Sequence, residues 1–347
     1  MFARTILAVF CTTTFAGVVH AQTYPNKSVR IIVPFATGGP DTVARIVGAR
    51  LAARLGQSFV IENRPAANGI VGTDTVAKAP PDGYTLLIHS SGLVGAPSLQ
   101  KKLPYDTERD LVAVTNIAAN IGTYLVVHPS VPAMTMKDFI DLARKIDSKI
   151  SFSSPGLGNT LHLIGELFNE RAGIKMLHVP YKGGGPAIAA VLSGEVQAML
   201  APPQVALTNV RAGKLRALAT TWPTRTLQLP DVPTMAEAGV ANVVADGGWF
   251  GLFAPAGTPP EIVNRLFGEV KAIIAEAEVR ERLLGLGLQP IGMPPAAFKP
   301  FVAEEIKKYA EMARSPECSR SKCDSYLPRF SVLTKTNPPC SSGHSTP

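Results

Sequence analysis

Val29, Ile31, Ile32 and Val33 make a short apolar run closed by Pro34, the pattern of a strand covered on both faces. Gly38 and Gly39 follow, and then Pro40, whose missing N–H suits the first turn of a helix. From there Val43, Val47 and Leu51 recur at helical spacing, with Ala44 and Leu55 widening the apolar stripe. A strand that feeds a helix start through a loop ending in two glycines is a unit of α/β architecture. Such a junction aims unpaired N–H groups and the positive end of the helix dipole at one spot, which favours an anion. Taken alone, it is equally an ordinary strand-to-helix turn.

Two further glycine-rich helix openings shift that balance. Ser151 to Thr160 contains Ser154, Gly156 and Gly158 and leads into a helix over 161–172, with Asn159 or Thr160 as its cap. Leu161 stands where a dinucleotide fingerprint needs its third glycine, so this is not a nucleotide loop. Val179 to Pro186 carries Tyr181, Lys182 and three glycines ahead of a proline, and the helix is expected over 187–192. Lys182 is either a movable charge beside bare backbone or an ordinary solvated lysine. Between these openings, strand-like and helix-like runs alternate, which argues an α/β fold with mainly parallel sheets. Tyr84 to Ile88 is one such strand; Ser90 and Ser91 beyond it either face a cleft or cap the next element.

At 347 residues the chain suffices for two domains with real cores. Residues 1–21 carry Arg4, an apolar middle and the small-ended Val19-His20-Ala21, the form of a secretory signal cut before Gln22. No later run approaches the roughly 20 apolar residues of a membrane span. The four cysteines fall at 11, 318, 323 and 340, so a fold between 22 and 314 is held by its core and not by disulfides. The formal charge is +8; without Arg4 and the net +2 of residues 315–347 the body keeps about +5. These charges are scattered and aromatics are few, which argues against a nucleic-acid surface.

Catalytic signatures are missing: no nucleophile elbow, Walker loop or H-E-x-x-H occurs. His162 and Glu166 are one helical turn apart, and a capping or core role outweighs a catalytic one. A triad assembled in space stays open.

Ten segments in order, among them YPNKSVRIIVPFATGG, IENRPAANGIVGT, GLGNTLHLIGELF, HVPYKGGGPA and WFGLFAPAGTP, identify the chain as a member of the Bug (Bordetella uptake gene) solute-binding proteins. These are the extracytoplasmic receptors of tripartite tricarboxylate transporters. The resemblance covers about residues 22–314. It implies a two-lobed, type II periplasmic-binding-protein fold of α/β class, with residues 22–124 and 247–314 in one lobe and 125–246 in the other. It also implies a carboxylate held by backbone N–H groups and waters of the first loop, with groups from 153–160 and 181–186. Where the family has two residues between the glycine pair and the aspartate, only Pro40 separates Gly39 from Asp41, and one residue fewer turns a helix start by about 100°. Ala190 stands where many members carry an aspartate. Residues 315–347, rich in Ser, Pro and Cys, lie beyond the family's usual end and read as disordered, a foreign or out-of-frame extension.

The expected ligand-binding set is Phe35, Ala36, Gly38, Gly39 and Asp41; Ser90 and Ser91; Ser154, Gly156, Gly158, Asn159 and Thr160; Tyr181 and Lys182; and Pro202 and Asp246. Asp41 and Asp246 are the acids that an amine-bearing ligand would use, although Asp41 equally suits a first-turn acid. A simple carboxylate is therefore favoured over an amino acid. The expected protein is a periplasmic monomer that needs no cofactor, metal or nucleic acid and delivers its ligand to a membrane permease. The alternatives are a sensor as partner, or a secreted hydrolase with a spatially assembled Ser/His/Asp set.

Overall fold

The computed structural model describes residues 24–66, 69–99, 102–145, 150–245 and 247–314. The expected leader (1–21), the expected tail (315–347) and Asp246 lie outside them. The first stretch alternates β1 (Val29–Val33), α1 (Gly39–Leu55), β2 (Phe59–Asn63), α2 (Ile70–Ala77), β3 (Thr85–Ser90), α3 (Gly92–Leu99) and β4 (Leu111–Asn120). Next come β5 (Tyr124–Val127), α4 (Met136–Ala143), β6 (Ser151–Ser154), α5 (Thr160–Ala172), β7 (Leu177–Pro180), α6 (Gly184–Leu192), β8 (Ala198–Ala201), α7 (Pro203–Arg211) and β9 (Arg216–Thr220). The chain closes with β10 (Trp249–Pro255), α8 (Pro260–Ala275), α9 (Ala277–Gly285), β11 (Leu288–Met293) and α10 (Pro295–Arg314).

Two sheets result, ordered β11-β4-β10-β3-β1-β2 and β7-β6-β8-β5-β9. β1 is apolar on both faces because both are covered. Val29, Ile31 and Val33 enter a core with α1 and α8, while Ile32 enters one with Phe298 and Val302 of α10. β1 pairs in parallel with β2 and β3, and β6 pairs in parallel with β7 and β8. β10 is antiparallel to β3 and β4, and β5 is antiparallel to β8 and β9. The reason is geometric. β1, β3, β6 and β8 end at the edge where the two sheets face each other, whereas β5 and β10 arrive from the other sheet and start there.

The chain crosses between Asn120 and Tyr124 and returns between Thr220 and Trp249. The crossovers lie side by side: Thr123 N–H donates to Thr221 Oγ1 (2.9 Å) and Thr221 N–H to the Thr123 carbonyl (2.9 Å). The helix of the third opening, α6, starts at Gly184, three residues earlier than expected, because Pro186 is accepted within a first turn. β2 runs to Asn63 by pairing with Val33 of β1. Among the described residues no helix is long and apolar enough to cross a membrane.

Candidate functional site

Between the facing sheet edges lies a cavity of about 40 Å³, room for about three waters. Helix starts surround it. Gly39 and Pro40 open α1, Asn159 and Thr160 open α5, Gly184 opens α6, Pro202 precedes α7, and Ser90 and Ser91 stand directly before α3. Phe35 and Phe250 supply its apolar wall, and Asn120 and Gly247 line it from the crossovers. Among the described residues no ionisable side chain lines the cavity. Any negative charge there meets helix N-termini, hydroxyls and amides, with no cation opposite.

The wall from the first lobe is held from behind. Asn63 Nδ2 donates to the Phe35 carbonyl (3.0 Å), and the Phe35 ring meets the His89 ring edge-on at 5.0 Å. His89 Nδ1 lies 2.6 Å from the Ser90 carbonyl oxygen; a carbonyl only accepts, so Nδ1 carries the proton. Burial lowers the His89 pKa to about 4, so the ring is neutral at pH 7. Asp41 turns away from the cavity: both its carboxylate oxygens accept from Arg45 Nε at 3.0 Å, and Arg45 reaches on to Asn63 Oδ1 (3.1 Å).

In the second lobe, Ser154 is fully buried and shapes the loop instead of lining the cavity. Its hydroxyl accepts from Gly156 N–H (3.2 Å) and lies 2.7 Å from His178 Nε2. Asn159 is the cap of α5, its Oδ1 accepting from Leu161 N–H (3.0 Å). Gly158 N–H donates to His162 Nδ1 (3.0 Å), which fixes that ring as the Nε2–H tautomer, facing Glu166 Oε1 at 3.7 Å. His162 stacks on His178 with centroids 3.9 Å apart. Burial and the neighbouring His162 lower the His178 pKa to about 4.

The lobes touch. Ala36 N–H donates to the Lys182 carbonyl (3.1 Å) and Gly185 N–H to the Thr37 carbonyl (2.7 Å). Gly38 and Gly183 sit at φ 151° and 140°, conformations that favour glycine. A Cβ on Gly183 would lie 3.1 Å from Ala36 N. The glycines of the first and third openings therefore let backbone meet backbone across the cleft. Gln204 Nε2 of α7 also reaches over, to Asn120 Oδ1 (2.8 Å).

Of the expected set, Phe35, Gly39, Ser90, Ser91, Asn159, Thr160 and Pro202 line the cavity. Ala36, Gly38, Gly156 and Gly158 do not; they shape the loops. Asp41 is spent on Arg45 and Ser154 on its own turn. Tyr181 points its hydroxyl at Glu195 Oε1 (3.1 Å). Lys182 is exposed and joins the closure through its carbonyl, not its charge. Asp246 is outside the described residues. Sequence reasoning missed Pro40, Asn120, Pro155, Leu161, Gly184, Gly247 and Phe250 as lining residues. The glycine-proline openings pointed towards Pro40 and Gly184, but nothing local marks Asn120, which ends a strand and earns its place through the crossover.

Residues 43–315 match the family model described as tripartite tricarboxylate transporter family receptor. The protein BugT of Bordetella pertussis is 36% identical over 313 residues, covering 89% of this chain and 95% of its own. A Rhodopseudomonas palustris protein solved with adipate superposes with a TM-score of 0.79 at 35% identity, over 84% of this chain and 98% of its own. MatC from Rhodopseudomonas palustris, solved with bound malate, gives 0.77 at 32% identity, over 84% and 100%. The chain belongs to the receptor family of the tripartite tricarboxylate transporters.

Proposed function

We propose that the chain is a periplasmic receptor that closes around a small organic carboxylate and delivers it to the membrane permease of a tripartite tricarboxylate-type transporter. Capture takes place between a lobe of residues 22–124 together with 247–314 and a lobe of residues 125–246. The observation that carries this reading is the convergence of five helix starts, from both sheets, on one cavity with no acidic side chain among the described residues. Each start favours an anion by roughly 0.3–2 kcal/mol, and Ser90, Ser91 and Asn159 add hydroxyl and amide donors. Relatives solved with adipate and malate support the same ligand class. Because Asp41 is committed to Arg45, a simple carboxylate fits better than an amino acid.

One contact favours hydrolysis, that of Ser154 Oγ with His178 Nε2 at 2.7 Å. It fails as a catalytic pair on two counts. Ser154 is fully buried, and neither residue lines the cavity. A thermal-shift screen with succinate, malate, adipate, citrate and glutamate, run beside generic esters, separates the two functions. Saturation at a hundredfold excess over Kd stabilises by about 2.7 kcal/mol. The expected result is a shift with at least one simple acid, little with glutamate, and no ester turnover. Ester turnover abolished by Ser154→Ala, with no acid giving a shift, would overturn the receptor function.

A further inference from the structure

Thr160, at the first position of α5, sits between two other hydroxyls. Its Oγ1 lies 2.7 Å from Ser91 Oγ and 2.7 Å from the Tyr309 phenol oxygen. Ser91 follows β3 and Tyr309 belongs to α10, both packed on the first sheet, while Thr160 belongs to the second lobe. Both bonds therefore cross the cleft and require the lobes to be closed. Ser91 and Thr160 line the cavity; Tyr309, only 6% exposed, does not. The Tyr309 ring is fixed against Gly95, where a Cβ would lie 3.1 Å from its Cδ1. Ser91 is held as closely: a Cβ on Gly248 would come within 2.2 Å of its Oγ.

A hydroxyl gives one proton and accepts at two lone pairs, so a chain of three has a direction. A phenol, with pKa near 10, is a better donor than an aliphatic hydroxyl, which sets Tyr309 at the donating end. We infer that Tyr309 is a positioning residue of the ligand site: its O–H donates to Thr160, Thr160 donates to Ser91, and the Ser91 O–H is left to donate into the cavity towards a bound carboxylate. The inference rests on the carboxylate reading above. Each donor in such a chain polarises the next. The charge of the ligand thus strengthens both bonds that hold the lobes together, and the C-terminal helix becomes part of the closed site.

The test is a double-mutant cycle on binding. Wild type, Tyr309→Phe, Ser91→Ala and the double variant are each titrated calorimetrically with succinate, malate, adipate and citrate. Tyr309→Phe keeps the ring on Gly95 and should weaken binding roughly 3- to 10-fold, the worth of one hydrogen bond. Adding it to Ser91→Ala should cost at least threefold less than adding it to wild type, because the two act as one unit. An affinity unchanged within twofold, or losses that simply multiply, would overturn the inference while leaving the receptor function standing. If wild type bound none of the four acids, the receptor function itself would fall and this inference with it. Thr160→Ser against Thr160→Val supplies a check independent of the Tyr309 variant. The hydroxyl chain requires the serine to keep affinity within about threefold and the valine to lose more than tenfold. The opposite order would make Thr160 a packing residue and break the chain.

Discussion

Gly185 shows how a single hydrogen in place of a side chain sets the closed state. A Cβ there would lie 2.3 Å from Thr37 Oγ1 and 2.8 Å from the Thr37 carbonyl oxygen of the other lobe. Gly185→Ala should therefore weaken carboxylate binding by about tenfold or more, at roughly 1.4 kcal/mol per tenfold, while each lobe keeps its core. Calorimetric titration beside a urea melt checks both halves, and unchanged affinity would remove this contact from closure. Lys182→Met is the matched control. The Lys182 side chain is exposed and its carbonyl makes the contact, so affinity should change by less than about threefold. A loss beyond tenfold at low salt would return the charge to recognition. Sequence pattern marks residues such as Gly39 and Asn159, because glycine and a capping amide are chosen by backbone chemistry. It cannot show that Tyr181 turns to Glu195, since that depends on which partner the fold brings near.

At the scale of elements, β1, β3, α1 and α5 were readable because each carries a full apolar period. β6 was not. Its sequence Ser-Phe-Ser-Ser is polar, yet the strand is buried, and its hydroxyls are satisfied one by one: Ser151 by Gln197 Oε1 (2.9 Å), Ser153 by the Ala187 carbonyl (2.9 Å) and Ser154 by the loop beyond. β11, with Pro290 and Gly292, is tolerated because it is an edge strand, bonded only to β4. Three buried or half-buried histidines give these elements a pH dependence. His89 ends β3 and His178 lies in β7, and burial lowers each pKa to about 4; His162 of α5 is lowered in the same direction, partly opposed by Glu166. The unfolded chain, with pKa near 6.5, binds protons first as pH falls. The stabilising effect is thus complete above about pH 6.5 and is lost progressively towards pH 4. For His89 alone the loss amounts to about 3 kcal/mol. Urea melts at pH 7.5, 6 and 4.5 should show falling midpoints, and His89→Gln should flatten part of the slope. A midpoint constant over that range would contradict neutral burial of these rings.

For the whole molecule, closure is distributed. Backbone bonds join the first and third openings, the hydroxyls of Ser91, Thr160 and Tyr309 join three elements, and Gln204 joins α7 to Asn120. The alternation of runs made the α/β class readable from the sequence, and the resemblance carried by the ordered family segments implied the two-lobed plan. The cavity between the lobes was not readable, because it depends on how two separately built sheets meet. The central claim is that five helix starts hold a carboxylate by its charge without a cationic side chain. Calorimetric titration of the protein with the preferred acid and with its uncharged amide analogue tests it most directly. The expected result is one acid bound per chain and at least a hundredfold weaker binding of the amide. Equal affinity for the two, or no heat with any simple carboxylate, would contradict it.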